Sequence, residues 1–257
     1  MAVPKSDEPI CYELRDDIAR ITLNRPAAAN ALAPEQRDSL IELFGRCDAD
    51  PDVRAVLLTS TGKHFCTGAD LGRIHRSRGE DKRVGDGMAR LLSGALRLVS
   101  SILDCRKPVV AAVQGVAGGL GLHVALASDL IVAADSASFF EPLILRGLVL
   151  DGAGAYLLPR RIGMQRAKEM ALLGDWVPAA EALRLGLVNR VVETDRLDEE
   201  ATALARRVAG APTSAVSLTK VLLNQSLDAG REQAFMLEAL AVEMQSRAEI
   251  WARSTTS

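Results

Sequence analysis

Short apolar runs alternate with segments of helical period through the first two-thirds of the chain, and this alternation limits the fold more than any other feature. The runs 55–59, 109–113 and 130–134 have the length and β-branched content of buried strands. Between them, apolar residues recur at helical spacing over 88–104, and 119–127 forms a second apolar helical segment. Strands that alternate with helices predict an α/β fold with a largely parallel sheet.

After Gly163 the pattern becomes helical. Helices are predicted over 166–173, 179–185, 196–209, 214–226 and 231–253. The last carries Met236, Leu240, Met244 and Trp251 at three- and four-residue spacing, an apolar stripe that needs a covering surface. We predict two regions, a core over 1–195 and a C-terminal helical region over 196–257.

The composition is that of a soluble globular protein. The 257 residues are 48% hydrophobic and 25% charged, and the net charge of −2 favours neither nucleic acid nor an anionic membrane as a partner. No apolar run approaches the roughly 20 residues that span a bilayer. The first residues, MAVPKSDEP, lack the apolar core of a secretory signal, so we predict a cytoplasmic protein.

The cysteines and histidines do not predict a metal site. The four cysteines are far apart in sequence, with no CxxC motif, and are predicted to be free thiols. His64 and Cys66 are two potential ligands without a second pair, and the three histidines form no HExxH motif.

A glycine-rich turn, QGVAGGLGLH at 114–123, follows a predicted strand and begins a predicted helix. Backbone N–H groups in that setting can bind an anion. A dinucleotide site is the alternative, with Asp135 in place to hold a ribose. However, Gly119 and Gly121 are followed by Val124 where the fingerprint requires a third glycine.

A second turn, GKHFCTGADL at 62–71, also follows a strand. The small residues Thr67, Gly68 and Ala69 allow a ligand to approach the backbone closely. Two such turns facing one carbonyl oxygen would stabilise an enolate, and each donor of this kind contributes about 10²–10³ in rate.

The segment 72–87 is rich in glycine and charge, with Ile74 and Val84 as its aliphatic residues. It is predicted to be either a disordered surface loop or a lid. In a lid, its arginines would contact substrate phosphates.

Five motifs in order resemble the crotonase (enoyl-CoA hydratase/isomerase) superfamily. They are LNRPAAANAL (23–32), HFCTGADL (64–71), KPVVAAVQGVAGGLG (107–121), LPRRIG (158–163) and AAEALRLGLVNRVV (179–192). The resemblance implies a spiral of ββα units, with an acyl-CoA site in the core and a C-terminal helical region that builds a homotrimer or a hexamer. It implies no cofactor besides the CoA of the acyl-CoA thioester.

The resemblance also implies positions for substrate contacts. The backbone N–H groups of Ala69 and Leu120 would bind the thioester oxygen. The other substrate-binding positions are Ala27, Ala29, Thr67, Asp70, Leu71, Gly119 and Leu143. Asp70 has a second interpretation as a helix cap. The family often has lysine at the position of Ala27, and Arg25, Lys63, Arg73 or a neighbouring subunit's Lys220 are candidates to replace it.

The catalytic positions depart from the hydratase pattern. Hydratases of this family add water with two glutamates, and the matching residues here are His123 and Leu143. Glu141 lies two residues from the second position. His123 and Glu141 are therefore only possible accessory residues, and hydratase activity is predicted to be weak or absent.

Asp151 stands where several isomerases of the family have an essential aspartate, and where 4-chlorobenzoyl-CoA dehalogenases have a nucleophile. Apolar neighbours should raise its pKa towards that of a useful base. Its alternative interpretation is the N-cap of a helix that starts near Gly152. We predict an enoyl-CoA isomerase with Asp151 as the catalytic residue. The alternatives are a dehalogenase or hydrolase of an aromatic acyl-CoA, and a catalytically silent acyl-CoA binder.

Overall fold

The computed structural model describes residues 8–70, 72 and 83–254, with side chains to residue 246. Its strands are β1 (Ile10–Arg15), β2 (Ile18–Leu23), β3 (Ala55–Ser60), β4 (Val109–Val113), β5 (Val116–Gly118), β6 (Leu130–Ala134), β7 (Ser138–Phe140), β8 (Val177–Pro178) and β9 (Arg190–Val192). Most of the predicted lid or loop, and Leu71 before it, lie outside the described residues.

The helices are α1 (Pro34–Ala49), α2 (Asp86–Leu91), α3 (Arg97–Asp104), α4 (Leu120–Ala127), α5 (Gly154–Leu173), α6 (Ala179–Leu185), α7 (Leu197–Ala209), α8 (Thr213–Ser226) and α9 (Arg231–Ser254). A π-helical turn, Leu92–Leu96, joins α2 to α3. Helices α6 to α9 begin and end within one residue of the predicted ranges.

The strands form two sheets. The larger has the order β1-β2-β3-β4-β6-β9, and every pair in it except β1 with β2 is parallel. The smaller has the order β5-β7-β8, in which β5 and β7 are parallel. This arrangement confirms the predicted α/β fold with a largely parallel sheet.

A strand–strand–helix unit repeats along the chain. One unit consists of β4, β5 and α4, and the next consists of β6, β7 and α5. Before them, β3 is followed by Cys66, which bridges to Ala117 and so extends the smaller sheet. Each unit adds a neighbouring strand to both sheets, which is the spiral of ββα units that the sequence predicts.

Helix α7 packs on the larger sheet. Its buried side chains Leu197, Ala201, Leu204, Ala205 and Ala209 lie against the strand residues Ala55, Leu57, Val110, Ala112 and Val132. The first helix of the predicted C-terminal region therefore covers one face of the core sheet. The division of the chain at 195/196 stays a prediction.

Helix α5 begins twelve residues earlier than predicted. It contains Pro159, and Gly163 within it has a non-helical conformation with φ of 75°. These two residues interrupt the apolar periodicity, which is why the sequence predicts only the second half of this element.

Helices α8 and α9 expose many large apolar side chains. Among the side chains described up to residue 246, seven here are more than half exposed, including Leu227 directly after α8: Leu223, Leu227, Phe235, Met236, Leu240, Val242 and Met244. None of the described helices has the length and hydropathy needed to cross a membrane.

Candidate active site

The turn after β3 is held by hydrogen bonds on both sides of Ala69. The Leu32 N–H donates to the Gly68 carbonyl oxygen at 2.8 Å, and the Asp70 N–H donates to the Leu32 carbonyl oxygen at 3.0 Å. Because backbone groups alternate in direction along extended chain, the Ala69 N–H points away from Leu32. It has no acceptor among the described residues.

The glycine-rich turn lies directly beside the first one. The Gly118 N–H donates to the Cys66 carbonyl oxygen at 3.0 Å, and the Gly119 N–H donates to the Phe140 carbonyl oxygen at 2.9 Å. Gly119 has φ of 49° and leads into α4. Leu120 is therefore the first residue of a helix, where the N–H has no intrahelical acceptor.

The two turns touch. A Cβ added at Gly68, whose φ is 104°, would lie 2.8 Å from the Gly118 carbonyl oxygen and 3.4 Å from the Leu120 nitrogen. Glycine is thus required at position 68 for both conformation and space. The N–H groups of Ala69 and Leu120 come from adjoining turns, as a pair that binds one oxyanion must.

The predicted CoA-binding residues lie on the turn after β3 and on the neighbouring turn after β2. The backbone N–H and the Oγ1 of Thr67 both donate to the Ala29 carbonyl oxygen at 3.2 Å, while Ala27 is exposed nearby in the turn Pro26–Ala28. The Asp70 carboxylate forms an ion pair with the Arg25 guanidinium at 3.3 Å.

Lys220 is one of the candidates to replace the lysine that the family often has at the position of Ala27, and this prediction is wrong. Lys220 is buried, and its Nζ lies 2.8 Å from Asp129 Oδ2 while it donates to the carbonyl oxygens of Ile102 and Lys107. An ammonium group held by these acceptors is not available to a phosphate. Lys63 is exposed.

Asp151 lies on a tight turn before α5. Its carbonyl oxygen accepts a hydrogen bond from the Gly154 N–H at 3.0 Å, and Gly152 and Ala153 both have left-handed backbone with φ of 55° and 72°. Helix α5 begins at Gly154, its N-cap residue is Ala153, and no side chain caps it. The alternative interpretation of Asp151 as the N-cap is therefore wrong.

The Asp151 turn packs against the helix that begins at Leu120. A Cβ added at Gly152 would lie 3.1 Å from His123 Nδ1 and 3.5 Å from Leu120 Cδ1. A Cβ added at Gly154 would lie 2.5 Å from His123 Nε2. These close approaches bring the Asp151 turn next to the Leu120 end of the candidate oxyanion hole.

Burial raises the pKa of Asp151, whereas His123 lowers it and Glu141 raises it further by charge repulsion. Asp151 is exposed in the single chain, yet the surrounding residues remove enough water to disfavour its charged form. Its surroundings are therefore those of a carboxyl group with raised proton affinity.

His123 and Glu141 form a buried pair. His123 Nε2 lies 2.7 Å from Glu141 Oε2, and both side chains are fully buried. His123 Nδ1 and Glu141 Oε1 have no hydrogen-bond partner among the described residues. The sequence named both residues as accessories but gave no reason to pair them, since they lie on different elements 18 positions apart.

A mostly apolar cavity of about 740 Å³ adjoins this pair. Leu143, at the second hydratase position, lines it together with Glu141 and Leu150. Leu143 therefore offers apolar contact where a hydratase has a carboxylate. Among the described residues, no three His, Cys, Asp or Glu side chains are grouped so that they could hold a metal ion.

A sequence model described as "Enoyl-CoA hydratase/isomerase" matches residues 13–254. The chain belongs to this family. Its members include a Rhodobacter capsulatus protein named "Probable enoyl-CoA hydratase", which is 36% identical over 90% of this chain and 86% of its own length. They also include the Escherichia coli "1,2-epoxyphenylacetyl-CoA isomerase", which is 34% identical over 85% of this chain and 83% of its own length.

Solved structures agree with the assignment. The enoyl-CoA hydratase/isomerase from Cupriavidus metallidurans has a TM-score of 0.88 and 33% identity, over 98% of this chain and 96% of that one. This protein is thus an acyl-CoA enzyme of the enoyl-CoA hydratase/isomerase family. Relatives of similar identity are named for both reactions, so the choice between hydratase and isomerase depends on the site itself.

Proposed function

We propose that this protein moves a double bond within an enoyl-CoA, with Asp151 as the base and the N–H groups of Ala69 and Leu120 as the oxyanion hole. The observation that carries the proposal is the difference between the site's carboxylates. Asp151 stands at the accessible edge of the site, whereas Glu141 is fully buried against His123.

The proposed reaction starts from a 3-enoyl-CoA. The Asp151 carboxylate removes a proton from C2, and the C–H electrons form an enolate whose negative charge lies on the thioester oxygen. The two N–H groups stabilise this charge. The neutral Asp151 then returns the proton to C4, so that the double bond ends between C2 and C3. One carboxylate performs both transfers, and no cofactor is consumed.

The raised pKa of Asp151 supports this role. A base with raised proton affinity removes the C2 proton more readily, and its conjugate acid still returns that proton at C4. The apolar cavity lined by Leu143 and Leu150 supports an apolar acyl group. We assign the adenosine and phosphates of CoA to the two neighbouring turns that carry Ala27, Ala29, Thr67 and Asp70.

The test is turnover on a panel of 3-enoyl-CoA, 2-enoyl-CoA and aryl-CoA thioesters. We expect conversion of a 3-enoyl-CoA, followed at the absorbance of the conjugated 2-enoyl thioester. We expect little or no hydration of crotonyl-CoA, because His123 and Leu143 replace the two glutamates. Hydration at about 1–10³ per second would contradict the assignment.

The same panel tests the alternative functions. Release of halide or of free CoA from an aryl-CoA would favour a dehalogenase or hydrolase. Binding without turnover would favour a silent binder.

A further inference from the structure

The buried His123–Glu141 pair has no task in the proposed reaction, although it lies against the turn that carries Asp151. His123 is on α4, and Glu141 directly follows β7. The imidazole fills the space above Gly152 and Gly154, neither of which has a side chain that would displace it. The imidazole of the pair therefore lies against the backbone on the C-terminal side of Asp151.

The hydrogen bonding of the imidazole is one-sided. Glu141 Oε2 lies 2.7 Å from Nε2, whereas Nδ1 is buried, has no partner among the described residues and lies beside Gly152. Nε2 carries the hydrogen of this bond when Glu141 is a carboxylate, because a carboxylate can only accept a hydrogen bond.

We propose that His123 and Glu141 are a positioning pair for Asp151: they hold its turn in place and set the charge that its carboxylate faces. This inference rests on the proposed function of Asp151. Neither member of the pair is assigned contact with the reacting atoms, since both side chains are fully buried.

The two members act on Asp151 in opposite directions. His123 lowers the pKa of Asp151, and Glu141 raises it. Among the described residues, no charged side chain besides these two shifts the pKa of Asp151, and Lys168, which lines the adjoining cavity, is exposed to solvent. Changes to the pair should consequently dominate any change in the titration of Asp151.

The test compares Glu141→Gln, His123→Gln and the double variant. Glutamine at 141 still offers an oxygen to Nε2–H, and glutamine at 123 still offers an amide N–H to Glu141, so the fold is expected to survive. The readout is the pKa of Asp151, measured by carbon NMR of its labelled carboxyl group. The acidic limb of kcat/KM for isomerisation is the second readout. Glu169→Gln on the exposed face of α5 is the matched charge control.

We expect Glu141→Gln to move the Asp151 titration to lower pH and His123→Gln to move it to higher pH. The double variant should return close to the wild type, and Glu169→Gln should change nothing. If the two single variants left the pKa of Asp151 unchanged, or moved it in the same direction, the proposal would be overturned and the pair would be purely structural. Because the NMR readout needs no turnover, a wild-type protein that fails to isomerise enoyl-CoA would refute the proposed function separately.

Discussion

Among single residues, Gly154 is the one whose replacement should most directly disturb the site. Its backbone conformation is ordinary, but an added Cβ would lie 2.5 Å from His123 Nε2 and 2.6 Å from Leu150 Cδ1. Gly154→Ala should therefore displace the imidazole or the Asp151 turn. We expect a loss of isomerase activity together with about 1–3 kcal/mol of stability, the usual cost of overpacking, measured by denaturant unfolding.

Gly45→Ala is the matched control for this prediction. Gly45 lies within α1, and nothing lies within 4 Å of a Cβ added there. Alanine favours helix over glycine, so this variant should be as active as the wild type and slightly more stable. A Gly154→Ala protein that matched it in both measurements would show that the packing of His123 on this turn has no functional consequence.

The positions of individual site residues could be predicted from sequence only where the resemblance fixed them, and their roles stay predictions. The motifs placed Ala69, Leu120 and Asp151, and the structure brings their three turns together. Pairing His123 with Glu141 required knowledge of how α4 packs on the segment after β7. No local periodicity encodes that contact, because it joins different elements. The same is true of the Lys220–Asp129 pair, which is invisible to spacing.

At the scale of elements, that buried ion pair anchors α8 to the core. Lys220 lies at the centre of the helix, and its ammonium group contacts Asp129, the carbonyl oxygen of Ile102 in α3 and that of Lys107 just before β4. Burial raises the pKa of Asp129, and Lys220 opposes that shift, so the carboxylate depends on its partner to stay charged.

Lys220→Ala should accordingly be destabilising, by up to about 3–5 kcal/mol, because it leaves a carboxylate that is only 23% exposed without its ammonium partner. Lys168→Ala, at an exposed position on α5, is the control and should change stability little. The measurement is urea unfolding of both variants at neutral pH. Equal stability of the two would contradict the view that this pair fastens α8 to the core.

Elements with strong periodicity were predicted correctly, and short ones were missed. The later helices carry several turns of apolar spacing, β3 and β4 are buried along their whole length, and β6 is buried after Leu130. By contrast, β5, β7 and β8 have only two or three residues each. Segments that short do not establish a period, and their pairing depends on the spiral itself.

For the whole molecule, the exposed apolar side chains of α8 and α9 predict assembly. A monomer would leave Phe235, Met236, Leu240 and Met244 of α9 mostly in water. We expect a homotrimer or a hexamer at micromolar concentration in light scattering. Phe235→Asp should shift the population to smaller species, and Glu232→Gln at the start of the same helix should not. A wild-type protein that stays monomeric would refute this prediction.

The most direct test of the central claim, that Asp151 is the base, is the rate of isomerisation by Asp151→Asn. Asn removes the proton acceptor and keeps the size, so the rate should fall by about 10²–10⁴, the usual contribution of general acid–base catalysis.

The affinity of the Asp151→Asn protein for acyl-CoA should not change. The melting temperature at neutral pH should be unchanged or higher. Because the pKa of Asp151 is raised in the folded state, the folded protein loses stability as pH rises through that pKa. Asn cannot ionise and so removes this loss. Asp175→Asn, at an exposed position, is the matched control and should be fully active. An Asp151→Asn protein as active as that control would contradict the account.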